Sequence, residues 1–175
     1  YNSDADLADY ADGLTLAMLE NGYGAVSTGS GMGAVSTIYM ALLEQGAHMI
    51  STASVYGPSR GIMEKHFSRF GVEYSYIDTS DPEQIQRAIR SNTRLLYLET
   101  PANPTIRLSD IRACAELAHK HGILVVVDNT FSSPYLQNPL DLGADVVFHS
   151  VTKFINGHAD IVGGIIITKT EELYN

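Results

Sequence analysis

Lys153 sits in the segment FHSVTKFINGHADIVGG (residues 148–164), just after Ser150 and Thr152 and ahead of Gly157, Gly163 and Gly164. A primary amine in such company can join an aldehyde carbon and, once released, carry protons between carbons. Asp128 closes the apolar run ILVVV, where desolvation strengthens the pairing of a carboxylate with a cation. Hydroxyls and the unbonded N–H groups of a helix start suit a phosphate dianion. Ser150 and Thr152 supply the first, and SGMGA (residues 30–34) the second. Tyr56 offers an aromatic face for a flat ring, and Asn103, beyond Glu99, a neutral donor.

These residues are scattered over 120 positions, so the elements between them must bring them together. Helical spacing of Leu7, Tyr10, Leu14, Ala17 and Met18 predicts a helix over residues 5–20, stopped by Gly22. Further helices are expected over 33–43, 61–70 (closed by Gly71), from Asp81-Pro82-Glu83 onward, and over 109–121. Strands are expected at 25–28, 49–51, 72–77, 95–98, 123–127, 146–148 and 164–167. LLYLE, ILVVVD and GGIIIT are continuously apolar, as in strands buried on both faces. Alternation of such strands with helices predicts a three-layer α/β/α fold with a mainly parallel sheet, all in one domain. In open sheets of this kind ligands gather beyond the C-terminal strand ends. Ser30, Gly31, Tyr56, Glu99, Asn103, Asp128, Ser150, Thr152 and Lys153 all follow predicted strands.

A ligand that needs an amine, an acid, hydroxyls, an aromatic face and a helix N-terminus together is pyridoxal 5'-phosphate. Singly, each residue has an ordinary structural use. A lysine in a Ser/Thr/Gly loop is a solvated charge, Asp128 and Glu99 can cap loops, and Tyr56 can be a half-buried core residue. Their order is more telling. SGMGA, VYG (55–57), ETPANPT (99–105), VVDNTFSSPYLQNPLDLGAD (126–145) and SVTKFINGH (150–158) together resemble the Cys/Met-metabolism family of pyridoxal-phosphate enzymes, which includes cystathionine γ-synthase, cystathionine γ-lyase and methionine γ-lyase. The likeness runs from Leu16 onward.

The resemblance implies the large cofactor-binding domain of a fold type I pyridoxal-phosphate enzyme over residues 1–175, with the family's C-terminal domain lying outside this chain. It implies Lys153 as the Schiff-base lysine, Asp128 as the partner of the ring nitrogen, and Gly31 and Met32 as backbone donors to the phosphate. Ser150 and Thr152 would add hydroxyl donors. Tyr56 would stack on the ring and act as an acid for the leaving group, and Asn103 would stand beside the phenolic oxygen. The implied activity is γ-elimination or γ-replacement on a methionine-, cystathionine- or O-acylhomoserine-like substrate. Two alternatives stay open: β-elimination, and a truncated cofactor-binding domain without turnover. A homodimer or homotetramer is also implied. Two departures stand out. Tyr1-Asn2-Ser3 falls where relatives carry Tyr-x-Arg, and Pro58 stands where methionine γ-lyases carry cysteine.

Bulk properties narrow the classes. With 175 residues, 45% hydrophobic and 18% charged, the chain has the composition of a globular domain. A net charge of −9 disfavours nucleic acid and anionic membranes. No apolar run reaches the roughly 20 residues of a bilayer span, and no signal-peptide pattern opens the chain. The single cysteine, Cys114, fits a reducing cytoplasm and a core position beside Ile111 and Leu117. None of the six histidines has metal-ligand spacing, and His158 is expected to order the lysine loop.

Overall fold

Consecutive apolar residues in a strand need cover on two sides, and the computed structural model, which describes residues 13–175, supplies it. The strands are β1 (Gly24–Thr28), β2 (His48–Thr52), β3 (Glu73–Ile77), β4 (Thr93–Glu99), β5 (Leu124–Asp128), β6 (Val146–Ser150) and β7 (Gly164–Thr168). They form one sheet in the order β1-β7-β6-β5-β4-β2-β3. β7 runs antiparallel to β1 and β6, and the other pairings are parallel. β1, β2, β4, β5 and β6 therefore end on the same edge.

The helices are α1 (residues 13–19), α2 (Gly31–Leu42), α3 (Gly57–Lys65), α4 (Pro82–Ala88), α5 (Ile111–His119), α6 (Ser133–Leu136) and α7 (Glu171–Tyr174). Alternate strand residues serve opposite layers. Leu96, Leu98, Val125 and Val127 pack with Ile85, Ile111, Cys114 and Ala118 of α4 and α5. Leu95, Tyr97, Val126 and Phe148 pack with Ala34, Val35, Ile38 and Tyr39 of α2. Each fully buried Val, Leu, Ile or Phe among them contributes about 1.5–3 kcal/mol, so the two clusters dominate stability. This is the predicted three-layer arrangement.

Several expectations shift. The helix expected over 61–70 begins at Gly57, because Pro58 has φ preset for a first turn and lacks the N–H that a first turn leaves unbonded. It breaks at His66, and a 3₁₀ turn, Phe67–Phe70, runs into Gly71 at φ 83°. α5 starts two residues later than expected, with Asp110 accepting the Ala113 N–H at 3.1 Å. Ser109 instead bonds the Thr79 hydroxyl at 2.7 Å. α6 and α7 are single turns, too short for a periodic signal. The first part of the helix expected over 5–20 lies outside the described residues, as do Tyr1–Ser3. Gly22 does more than stop that helix, since a Cβ there would lie 2.2 Å from Ile167 Cγ2.

Cys114 is buried as expected, and burial followed by the Asp110 charge pushes its thiol up to about 12. His119 bonds Asp145 at 2.9 Å, and His48 bonds Thr93 and Ser75 at 2.8 and 3.0 Å. Among the described residues no helix is long and apolar enough to cross a membrane.

Candidate functional site

Where the parallel strands end, a cavity of about 380 Å³ opens between α2, α3 and the 151–162 segment. Its wall contains every residue to which the resemblance gave a role: Gly31, Met32, Tyr56, Asn103, Asp128, Ser150, Thr152 and Lys153. Ser30, Val35, Ser59, Glu99, Thr130, Phe131, Phe148 and Val162 complete it.

The α2 end of the cavity is built for an anion. Ser30 caps the helix, its Oγ accepting the Gly33 N–H at 2.9 Å. That leaves the Gly31 and Met32 N–H groups without acceptors among the described residues. Glycine is required at 31 because a Cβ there would lie 2.6 Å from Ser150 Cβ. The close approach brings the Ser150 hydroxyl beside the helix N-terminus. Thr152 is less free: its Oγ1 accepts the Gly163 N–H at 3.1 Å and so ties the lysine loop to the start of β7.

At the β5 end, Asp128 is 8% exposed. Its Oδ1 accepts the Thr130 N–H at 3.0 Å and the Thr130 hydroxyl at 2.5 Å, while Oδ2 has no protein donor among the described residues. Burial, reinforced by the nearby Glu99 charge, pushes the carboxyl up to about 7 against the pull of the Thr130 bonds. Such a group awaits a cation. Thr130 also accepts the Ser150 N–H at 2.9 Å, linking the acid to the anion end.

Lys153 is exposed on a turn whose carbonyl accepts the Gly157 N–H at 2.9 Å, and its amine has no protein partner among the described residues. It lines the same cavity as Asp128. His158 donates from Nδ1 to the Asn156 carbonyl at 2.9 Å, and Asn156 bonds Asp160 at 2.8 Å, so this segment orders itself as expected. Tyr56 caps α3 and is 43% exposed. Its backbone N–H, and that of Asn103, are both bonded to Glu99.

Sequence reasoning missed two supports. Thr130 follows Asp128 by two residues, the spacing at which a carboxylate accepts from the chain ahead, and that signal was available. The second lies deeper. Glu20, fully buried, accepts from His149 Nε2 at 2.7 Å and Asn129 Nδ2 at 2.8 Å, so it braces the residues adjoining Ser150 and Asp128. No local pattern joins positions 20, 129 and 149.

Donors for an anion at one end, a carboxylate oxygen without a donor at the other and an unpaired amine lining the same cavity, all among the described residues, fit pyridoxal phosphate. Residues 13–175 match the model of the family described as Cys/Met metabolism PLP-dependent enzyme. An L-methionine gamma-lyase from Fusobacterium nucleatum subsp. polymorphum is 47% identical over 89% of this chain and 40% of its own length. The cystathionine beta-lyase MetC of Bacillus subtilis is 45% identical over 91% of this chain and 40% of its own. Among solved structures, a cystathionine gamma-lyase from Lactobacillus plantarum, complexed with L-serine, superposes with a TM-score of 0.89 at 40% identity, covering 90% of this chain and 41% of that one. The chain thus spans about two fifths of the length of these relatives.

Proposed function

Because the chain belongs to the Cys/Met metabolism PLP-dependent enzyme family, we propose that it forms the cofactor-binding domain of an enzyme performing γ-elimination or γ-replacement on a methionine-, cystathionine- or O-acylhomoserine-like amino acid. The observation that supports this reading is the presence, in one cavity, of an amine without a protein partner and a buried carboxylate oxygen without a donor among the described residues. Pyridoxal phosphate, when bound, supplies an aldehyde for the amine and a cationic ring that withdraws electrons from the substrate Cα.

The residues then divide the work. Lys153 Nζ would hold the cofactor carbon and, displaced by substrate, take the Cα proton. Asp128 Oδ2 would keep the ring nitrogen protonated. The Gly31 and Met32 N–H groups, with the Ser150 and Thr152 hydroxyls, would bind the phosphate. Tyr56 would lie against the ring, and its hydroxyl would give a proton to the departing γ-substituent. Asn103 would donate to the phenolic oxygen. The arginine for the substrate carboxylate would come from a C-terminal domain beyond residue 175, and the working enzyme would be a homodimer or homotetramer.

The β-lyase relative favours β-elimination as the second reading. Product analysis separates the two. The intact protein, loaded with pyridoxal phosphate and given cystathionine, is expected to release a 2-oxobutyrate-type acid. Pyruvate alone would establish β-elimination, and the lack both of any keto acid from methionine, cystathionine or O-acylhomoserine and of a thioether from O-acylhomoserine with cysteine would overturn the assignment. This chain alone, at two fifths of its relatives' length, is expected to bind cofactor without turnover.

Gly31→Ala probes the phosphate end. The added Cβ would press on Ser150 Cβ and Oγ at 2.6 and 2.7 Å, forcing the helix N-terminus away from β6. Overpacking of this kind costs about 1–3 kcal/mol. Thermal unfolding should register that loss, and equilibrium dialysis should show roughly tenfold weaker cofactor retention, about what one weakened charge-assisted hydrogen bond is worth.

A further inference from the structure

Glu99 ends β4 with its side chain buried, 2% exposed, and with no cationic partner among the described residues. An unpaired buried carboxylate is costly, so something must make use of it. Its oxygens serve two different loops. Oε1 accepts the Asn103 N–H at 2.9 Å, four residues ahead, as a loop cap would. Oε2 accepts the Tyr56 N–H at 2.5 Å, from the connection between β2 and α3, 43 residues away. A loop cap requires no such second bond.

We propose that Glu99 is the positioning residue of the cavity: its carboxylate clamps the Tyr56 loop to the Asn103 loop and so sets ring and amide against one ligand. This rests on reading the cavity as the pyridoxal-phosphate site. The residue type follows from the geometry. Two N–H groups arriving at two separate oxygens need an acceptor at each, and only a carboxylate has both. Glutamine would turn an NH₂ donor toward one of the two N–H groups. The clamp is itself anchored. The Glu99 N–H donates to Thr52 Oγ1 at 3.3 Å, and that hydroxyl continues through Thr79 (2.9 Å) to Ser109 (2.7 Å), a buried chain joining β2 to the loops after β3 and β4. Glu99 also lies opposite Asp128 in the β4–β5 register, so the clamp is built beside the site's own acid. Burial raises the Glu99 pKa, and the Asn103 and Tyr56 N–H bonds offset part of that rise.

Glu99→Gln in the intact protein tests this, because it keeps the volume and removes one acceptor. Amide hydrogen exchange without cofactor is the first measurement. Both the Tyr56 and Asn103 amides should be protected in the wild type, and at least one should exchange tenfold faster or more in Glu99→Gln. Steady-state kinetics of the loaded enzyme is the second. The expected result is a kcat loss on the order of 10–100-fold, with KM changed by less than about threefold, because ring and amide are displaced while the rest of the cavity stands. Rapid exchange of either amide in the wild type overturns the clamp, even if the variant fails to fold. Unchanged protection in the variant also overturns it. Lost protection with unchanged kcat overturns the positioning role. A wild-type protein that takes up no cofactor would refute the functional reading, while the exchange data would still decide the clamp.

Discussion

Lys153→Ala is expected to abolish the visible absorption of the cofactor-loaded protein and to lower turnover by on the order of a thousandfold or more, the scale of losing a covalent catalytic group. The reason is local. Among the described residues no other lysine lines the cavity, so none of them offers a second amine to the aldehyde. The side chain is exposed and has no protein partner among the described residues, so removing it should leave unfolding of the cofactor-free protein within about 0.5 kcal/mol of the wild type. Loss of color would then report chemistry rather than collapse. Borohydride reduction followed by peptide mapping gives a direct check, with the cofactor mass expected on the peptide carrying Lys153. A stable adduct on Lys65, Lys120 or Lys169, or a Lys153→Ala protein that still fixes cofactor on reduction, would remove the central residue of the proposal.

That the cavity gathers residues 30–32, 56, 103, 128, 150, 152 and 153 was legible because the rule behind it is simple. Parallel strands end on one edge, and each of these residues follows an expected strand, those before 103, 128 and 150 being unbroken apolar runs. LLYLE and ILVVVD carry that signal plainly, since Leu95 and Leu96 must face opposite layers. The start of α3 was harder to place. Gly57 and Pro58 read as a loop until Tyr56 is seen as the cap and Pro58 as the first turn. The supports were least legible. Glu20 meets His149 and Asn129 across more than a hundred residues, and Glu99 meets Tyr56 across 43, so a single sequence carries no local trace of either contact. Short-range partners such as Asp128–Thr130 leave a spacing that can be read, whereas long-range ones need the fold first.

Asp128→Asn is expected to stabilise the cofactor-free protein near pH 8 while nearly eliminating cofactor function. Burial, and then the neighbouring Glu99 charge, place the folded-state pKa at about 7, against about 3.9 for an unfolded aspartate. Between those values the folded state binds the proton more tightly than the unfolded one. The contribution of Asp128 to stability is therefore highest below about pH 4, falls as pH rises through about 7, and is level above that. Three pKa units correspond to about 4 kcal/mol, the upper bound of the fall. Asparagine does not titrate, and its Oδ1 can still accept from the Thr130 N–H and hydroxyl, which lie at 3.0 and 2.5 Å in the wild type. The variant should thus show no decline over this window from position 128 and should exceed the wild type by about 2–4 kcal/mol at pH 8. A neutral amide cannot hold a ring nitrogen protonated, so kcat should fall by a factor on the order of a hundred or more, and the cofactor should dissociate faster. Urea unfolding of both cofactor-free proteins at pH 5 and pH 8, beside cofactor release rates, measures each half. A less stable Asp128→Asn protein at pH 8 would show that the carboxylate is satisfied without a ligand. Retained turnover would show that no cation sits against it.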